Sequence, residues 1–181
     1  MAQNAEQLQK LPKTTLIKMA VDKIQDSTFH AGDFDLIEIW REGEDLTVEF
    51  DHVINYIPVK GQFYYGISIN LVTGSPVRYI KGKGPWDEEV KFYQPSLYKQ
   101  EIKFILDAIN KSKGEVGKIP EGQFPEGTMT IEEKSDYYDI TLDSESTHSY
   151  YKIKKGSGKI YDAGHKHYAD FGEPSARKRI Y

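Results

Sequence analysis

Two histidines near the C-terminus are the residues best placed to do chemistry. They lie in the segment Tyr161-Asp162-Ala163-Gly164-His165-Lys166-His167-Tyr168-Ala169-Asp170. On an extended strand, side chains two residues apart project to the same side, so His165 and His167 can face one ion. Asp162 or Asp170 would complete a three-ligand site of the kind that zinc or iron occupies. The same group supports an acid–base hydrolase acting on nucleic acid. His165 or His167 would be the general base, Asp162 would orient it, and Arg177, Lys178 and Arg179 would hold phosphate. Against both readings, a His-x-His pair recurs by chance and Lys166 sets a like charge between the rings. Neither a metal nor a cofactor is therefore expected, and an enzyme is the second reading rather than the first. Of the other three histidines, His30 precedes a turn and His148 begins a strand. His52, between Phe50 and Ile54, reads as a core histidine with a hydrogen-bond partner.

Other catalytic patterns are missing. With no cysteine, disulfides, zinc–thiolate sites and cysteine nucleophiles are excluded. Gly82-Lys83-Gly84 is too short for a phosphate loop, and Lys155-Gly156-Ser157-Gly158-Lys159 reads as a hairpin turn. The aromatic residues offer more: 13 Tyr, 8 Phe and 2 Trp, a composition that favours strands. Tyr64, Tyr79, Tyr150 and Tyr161 fall at strand positions, and Trp86 sits in a Gly/Pro-rich link beside Asp87, Glu88 and Glu89. Many strand tyrosines simply pair with a neighbour. As a group, however, these five form a candidate partner-binding surface, because Tyr and Trp dominate interface energetics.

Charge is unevenly placed. The whole chain of 181 residues carries −4, whereas Ser149 to Tyr181 holds 8 Lys/Arg against 3 Asp/Glu. The pattern is an acidic body with a basic end, and an acidic body disfavours nucleic acid as a partner. The N-terminal residues lack an apolar core of signal-peptide type, and no apolar run approaches membrane-spanning length. A cytoplasmic protein with no membrane contact is expected; the sequence does not set the oligomeric state.

The elements that must position these residues come in two similar sets. A helix is predicted over about Thr14 to Ser27, with Leu16, Ile17, Ala20, Val21 and Ile24 as its apolar stripe. Leu46 to Ile54 and Phe63 to Leu71 alternate as half-buried strands. A second helix follows Ser96, with Tyr98, Ile102, Ile105, Leu106 and Ile109 in line. Phe63-Tyr64-Tyr65-Gly66-Ile67 then finds a counterpart 86 positions on in Ser149-Tyr150-Tyr151-Lys152-Ile153, each followed by a glycine turn and a returning strand. At close offsets, Trp40, Glu42 and Gly43 precede Phe124, Glu126 and Gly127, and Leu46-Thr47-Val48-Glu49 precedes Met129-Thr130-Ile131-Glu132. The expected fold is α+β: two tandem modules, each a helix packed on one face of an antiparallel sheet of three or four strands. The divisions are 1–13 as a flexible lead, 14–84 as the first module, 85–95 as a linker, 96–170 as the second module and 171–181 as a basic tail.

That architecture resembles the tandem helix-plus-four-strand modules of β-lactamase-inhibitor proteins and PepSY-like domains, and the resemblance implies a sheet used to clamp an enzyme. The ending from Glu173 to Tyr181 also resembles the basic tails of colicin-type ribonuclease domains, with no shared motif that assigns a residue role. The leading expectation is a non-enzymatic binding protein, an inhibitor or immunity-type protein neutralising a partner enzyme or basic toxin. Opposite charge would speed that encounter.

Overall fold

The computed structural model describes residues 4–83, 90–112, 127–144, 147–167 and 177–181; for Gln62, Lys81, Gly82, Lys83 and His167 it describes the backbone alone. The chain opens with a short helix α1 (Ala5–Leu8), closed by a reciprocal cap in which the Gln7 N–H donates to Asn4 Oδ1 at 2.9 Å. Helix α2 (Lys13–Ile24) starts behind Pro12 and stops where Gln25 turns left-handed at φ 50°, short of the Ser27 boundary expected from sequence. Leu16, Ala20 and Ile24 of the predicted stripe are buried, and its other two members, Ile17 and Val21, are partly buried against the same core. Six strands follow: β1 (Leu36–Glu42), β2 (Asp45–Asp51), β3 (Ile54–Ile57), β4 (Gly61–Asn70), β5 (Pro76–Lys83) and β6 (Lys91–Phe92). Then come α3 (Lys99–Ser112), β7 (Thr128–Glu133), β8 (Tyr137–Asp143), β9 (Thr147–Lys154), β10 (Ile160–His167) and β11 (Lys178–Arg179).

The protein is α+β with two sheets. The first runs β11-β1-β2-β4-β5 with β6 beside β4; the second runs β10-β9-β8-β7-β3. Pairing is antiparallel except for β4–β6 and β3–β7. Helix α2 packs on the first sheet and α3 on the second, each joining that sheet's own core. The sheets also exchange edge strands. Residues 54–57, inside the segment 14–84, pair with β7 through Ile54↔Met129 and Tyr56↔Ile131. From the C-terminal end, Arg179 pairs with Trp40 on β1, and the Ile180 N–H donates to Ile39 O at 2.8 Å.

One sequence match is corrected. Leu46–Glu49 lies in β2, the second strand of the first meander, but Met129–Glu132 lies in β7, the first strand of the second. Period-two alternation is the same on every half-buried strand, so it cannot distinguish one strand from the next. The turns that close the β4–β5 and β9–β10 hairpins have the same hydrogen-bond pattern. The Gly74 N–H donates to Asn70 O at 2.7 Å and the Gly158 N–H to Lys154 O at 3.0 Å. Both glycines are left-handed, at φ 77° and 65°.

Strand β4 serves both cores. Ile67, Ile69 and Leu71 are buried against α2 with Val48 and Phe50. Between Tyr64 and Gly66 the register with β5 slips by one residue, leaving Tyr65 as the extra residue of a bulge. A one-residue slip exchanges the faces of all side chains beyond it. Tyr64 therefore stays with the first core, whereas Tyr65 and Phe63 enter the second. The Tyr65 hydroxyl donates to Tyr56 O at 2.6 Å. Gly66 is required beside the bulge, because a Cβ there would stand 2.9 Å from Phe50 O and 2.1 Å from Asp51 Oδ1. Gly66→Ala should lower stability by about 1–3 kcal/mol through this overpacking, measured by urea unfolding.

On the second sheet, Glu133 ties three segments together. Its carboxylate accepts from Lys155 Nζ at 2.6 Å and from the Val59 N–H at 3.3 Å. Burial works to raise its pKa, but the Lys155 ammonium and the Val59 N–H outweigh that and hold it below the ordinary value. A depressed carboxylate contributes stability above its unfolded pKa, and that contribution disappears as pH falls through the folded one. Glu133→Gln is expected to destabilise the protein at pH 7 and to flatten the acid side of its pH–stability curve. Thermal melts of both proteins between neutral and acid pH check this.

Candidate protein-binding surface

The register of β10 decides what His165 and Asp162 can do together. Asp162 pairs with Lys152, Gly164 with Tyr150, and His165 with Ser149. Tyr151 and Ile153 on β9 face the second core, so Lys152 and Tyr150 face away from it. Asp162 therefore lies on the outer wall, with its carboxylate 3.7 Å from Lys152 Nζ. His165 lies on the opposite side, where Nδ1 is 2.7 Å from Ser149 Oγ. The structure does not bring the two together. The side chain of His167, like the residues Tyr168 and Asp170, lies outside the described part of the structure. Among the described residues, no group of three or more histidines and carboxylates is placed to hold a metal ion. His148 pairs with Asp143 at 2.6 Å.

The arginines assigned to phosphate are engaged within the chain. Arg177 forms an ion pair with Glu49 and lies over the Trp40 ring at 4.3 Å. Arg179 reaches Glu38 Oε1 at 2.7 Å, and Lys178 is exposed. Glu38, Trp40 and Glu49 all stand on the outer wall of the first sheet, opposite Ile39, Val48 and Phe50. The basic end thus covers part of that wall and pairs with the acidic body.

The predicted tyrosines divide by face. Tyr64 is turned inward by the bulge, against Phe92 at 5.3 Å and beneath the Arg78 guanidinium at 5.4 Å. Tyr79 is on the outer wall of the first sheet, 43% exposed, with its hydroxyl 3.2 Å from Ser68 Oγ. Tyr150 lies across Gly164 so closely that a Cβ there would meet its ring at 2.3 Å. Tyr161, 51% exposed, stands edge-on to Tyr137 at 5.9 Å. Trp86 lies outside the described residues. Sequence reading missed Tyr137, although its place at the head of an alternating strand gives its face. Tyr150, Tyr161 and Tyr137 share the outer wall of the second sheet with Lys152, Asp139 and Asp162. Asp139 first, then Asp162, raises the Lys152 pKa and keeps it charged.

His52 is fully buried at 0% exposure and joins the two cores. Its ring stacks on Phe34 at 4.8 Å and meets Tyr93 edge-on at 5.1 Å. Its polar partner is Asp35: Nδ1 lies 3.5 Å from Asp35 Oδ1, a contact too long for a well-formed hydrogen bond. Burial works to raise the Asp35 pKa, yet this contact helps hold the carboxyl below its ordinary value.

Arg177→Ala should uncover Trp40. In a Trp86→Phe background, where Trp40 is the sole indole, its emission should move to longer wavelength and the melting temperature should fall. The lost stacking contributes about 0.5–1 kcal/mol, and an unchanged spectrum would show that Arg177 does not shield the ring.

No protein-family model matches the chain, and no curated protein does. A crystal structure of a candidate lipoprotein from Clostridium difficile 630 aligns over 87% of this chain and 94% of its own, at 15% identity and a TM-score of 0.23, a likeness too slight to bear on fold or function.

Proposed function

We propose that this is a non-enzymatic protein-binding module that docks its partner on the outer wall of the second sheet. The observation that carries this reading is Tyr161, half exposed and braced edge-on by Tyr137, at the end of a sheet wall that no helix covers among the described residues. Rigid tyrosines of this kind supply contact area at low entropic cost. The net charge of −4 favours a basic partner, and an inhibitor or immunity-type protein that neutralises an enzyme or toxin fits both features. Nucleic acid is disfavoured, since Arg177 and Arg179 are engaged with Glu49 and Glu38.

The two halves are read as copies of one helix-plus-meander module. The shared turn geometry at Gly74 and Gly158 and the matching order α2-β1-β2-β4-β5 and α3-β7-β8-β9-β10 support this. In this reading β3 is an insertion in the first copy, placed so that it completes the second.

The test is chemical cross-linking in native lysate followed by affinity measurement on the captured protein. Tyr161→Ala should weaken binding by about thirtyfold, the size of an interface hot spot, and His165→Ala should leave it unchanged. Equal affinity of wild type and Tyr161→Ala for that protein, or loss on His165→Ala, would overturn the reading.

A further inference from the structure

Residues 177–181 lie on the first sheet as a bound peptide would. They pair with the edge of β1 in antiparallel register, Trp40 opposite Arg179 and Arg41 opposite Lys178. Two further backbone bonds extend the pairing, from the Ile180 N–H to Ile39 O at 2.8 Å and from the Ile39 N–H to Tyr181 O at 3.1 Å. Side chains are read on both faces. On the outer wall Arg179 reaches Glu38 and Arg177 pairs with Glu49 while covering the Trp40 ring. On the inner side Ile180 packs against the first core.

The hold is shallow. Lys178, Arg179 and Tyr181 are exposed, and Ile180 is only partly buried. An ion pair as exposed as that of Arg179 adds little, because its Coulomb gain in water is offset by the entropy of fixing two long side chains. A segment with so few buried contacts opens at a small share of the cost of global unfolding. The fit is also incomplete: Trp40 Nε1 is buried and makes no hydrogen bond among the described residues, a cost this occupant leaves standing.

The receiving side does not depend on its occupant. Glu38, Trp40 and Glu49 are fixed on β1 and β2, which pair along seven positions from Leu36↔Asp51 to Glu42↔Asp45. Glu38 and Glu49 stand directly opposite one another. Like charges so placed repel, so the edge demands cations from whatever strand lies on it.

We propose that the edge of β1 is a strand-addition site for an extended basic segment of a partner protein, and that the chain's own residues 177–181 occupy it until displaced. The segment's backbone pairs with β1, arginines at alternate positions take Glu49 and Glu38, and an apolar residue after the second arginine takes the place of Ile180. The site is on the other sheet from the Tyr161 wall, so the two readings stand or fall independently.

The experiment uses the full-length, isotope-labelled protein. In wild type the Ile180 amide should exchange with solvent about a hundredfold faster than the amides of the β1–β2 ladder, and faster still as salt screens the ion pairs. A blocked peptide, Arg-Lys-Arg-Ile-Tyr, should bind Arg177→Ala/Arg179→Ala about tenfold more tightly than wild type, with amide shifts confined to β1, β2 and residues 177–181. The peptide Glu-Lys-Glu-Ile-Tyr should bind neither. Should the double variant not fold, exchange in wild type alone decides. An Ile180 amide as protected as the β1–β2 ladder would overturn the proposal. So would equal affinity of the basic peptide for both proteins, binding of the acidic peptide, or dimers that form by exchanging residues 177–181.

Discussion

The structure depends on one extra residue in one strand. Because Tyr65 is inserted into the β4–β5 ladder, β4 presents Ile67 and Ile69 to one core and Phe63 and Tyr65 to the other. An unbulged strand would send all of them to the same side and leave the second core without two of its rings. The bulge also explains the partners of β4. Its second half pairs with β2, while its first half, at Phe63 and Tyr64, pairs with β6. The end of β6 and the residue after it repeat the division, with Phe92 in the first core and Tyr93 in the second.

Much of the local structure was legible in the sequence because it is set by local periodicity. The stripes of α2 and α3, the alternation of β2 and the glycine turns at Gly74 and Gly158 all follow from residues close together in the chain. What could not be read depends on distant partners. Nothing near Ile54–Ile57 says that these residues will pair with Met129–Glu132. Nothing in Lys178-Arg179 says that they will lie beside Trp40. The single alternating face expected for Phe63 to Leu71 failed for the same reason: the bulge is fixed by the closeness of Phe50 and Asp51 to Gly66, a tertiary fact. Tyr64 was consequently assigned to an exposed surface that it does not occupy.

The candidate site divides along the same line. Strand parity gives Tyr79 and Tyr150 their outward faces, whereas Tyr161 is the extra residue of the bulge between Ile160 and Asp162 and reaches the same wall as Asp162 through that bulge. Parity also separates Asp162 from His165, three positions apart and hence on opposite sides, which the sequence already implied once the segment was taken as a strand. The uneven charge has a tertiary explanation. Arg177 and Arg179 meet Glu49 and Glu38 from strands more than a hundred residues earlier, so part of the basic end balances the acidic body within the molecule.

Rings link what the bulge divides. From the cluster of Phe29, Phe34, Phe50 and Phe92, contact passes to His52, then to Tyr93, which stacks on Tyr65 at 5.0 Å and lies near-parallel to Tyr98 at 6.0 Å, and Tyr98 stacks on Tyr56 at 4.3 Å. A buried imidazole bears a desolvation cost that the 3.5 Å contact with Asp35 offsets only in part, so the rings packed around His52 also hold it in place. Its flat ring fills the space between a phenyl face and a phenol edge, where a branched aliphatic side chain would lose both contacts. The same ladder explains why the edge strands cross over. With the two cores already in contact at His52, β3 and β11 need travel only a short way to finish the other half's sheet. Each sheet then gains backbone hydrogen bonds at an edge that would otherwise stand open. Strand β5 lies outside that exchange, at the far side of the first sheet, and has no strand on its outer edge among the described residues.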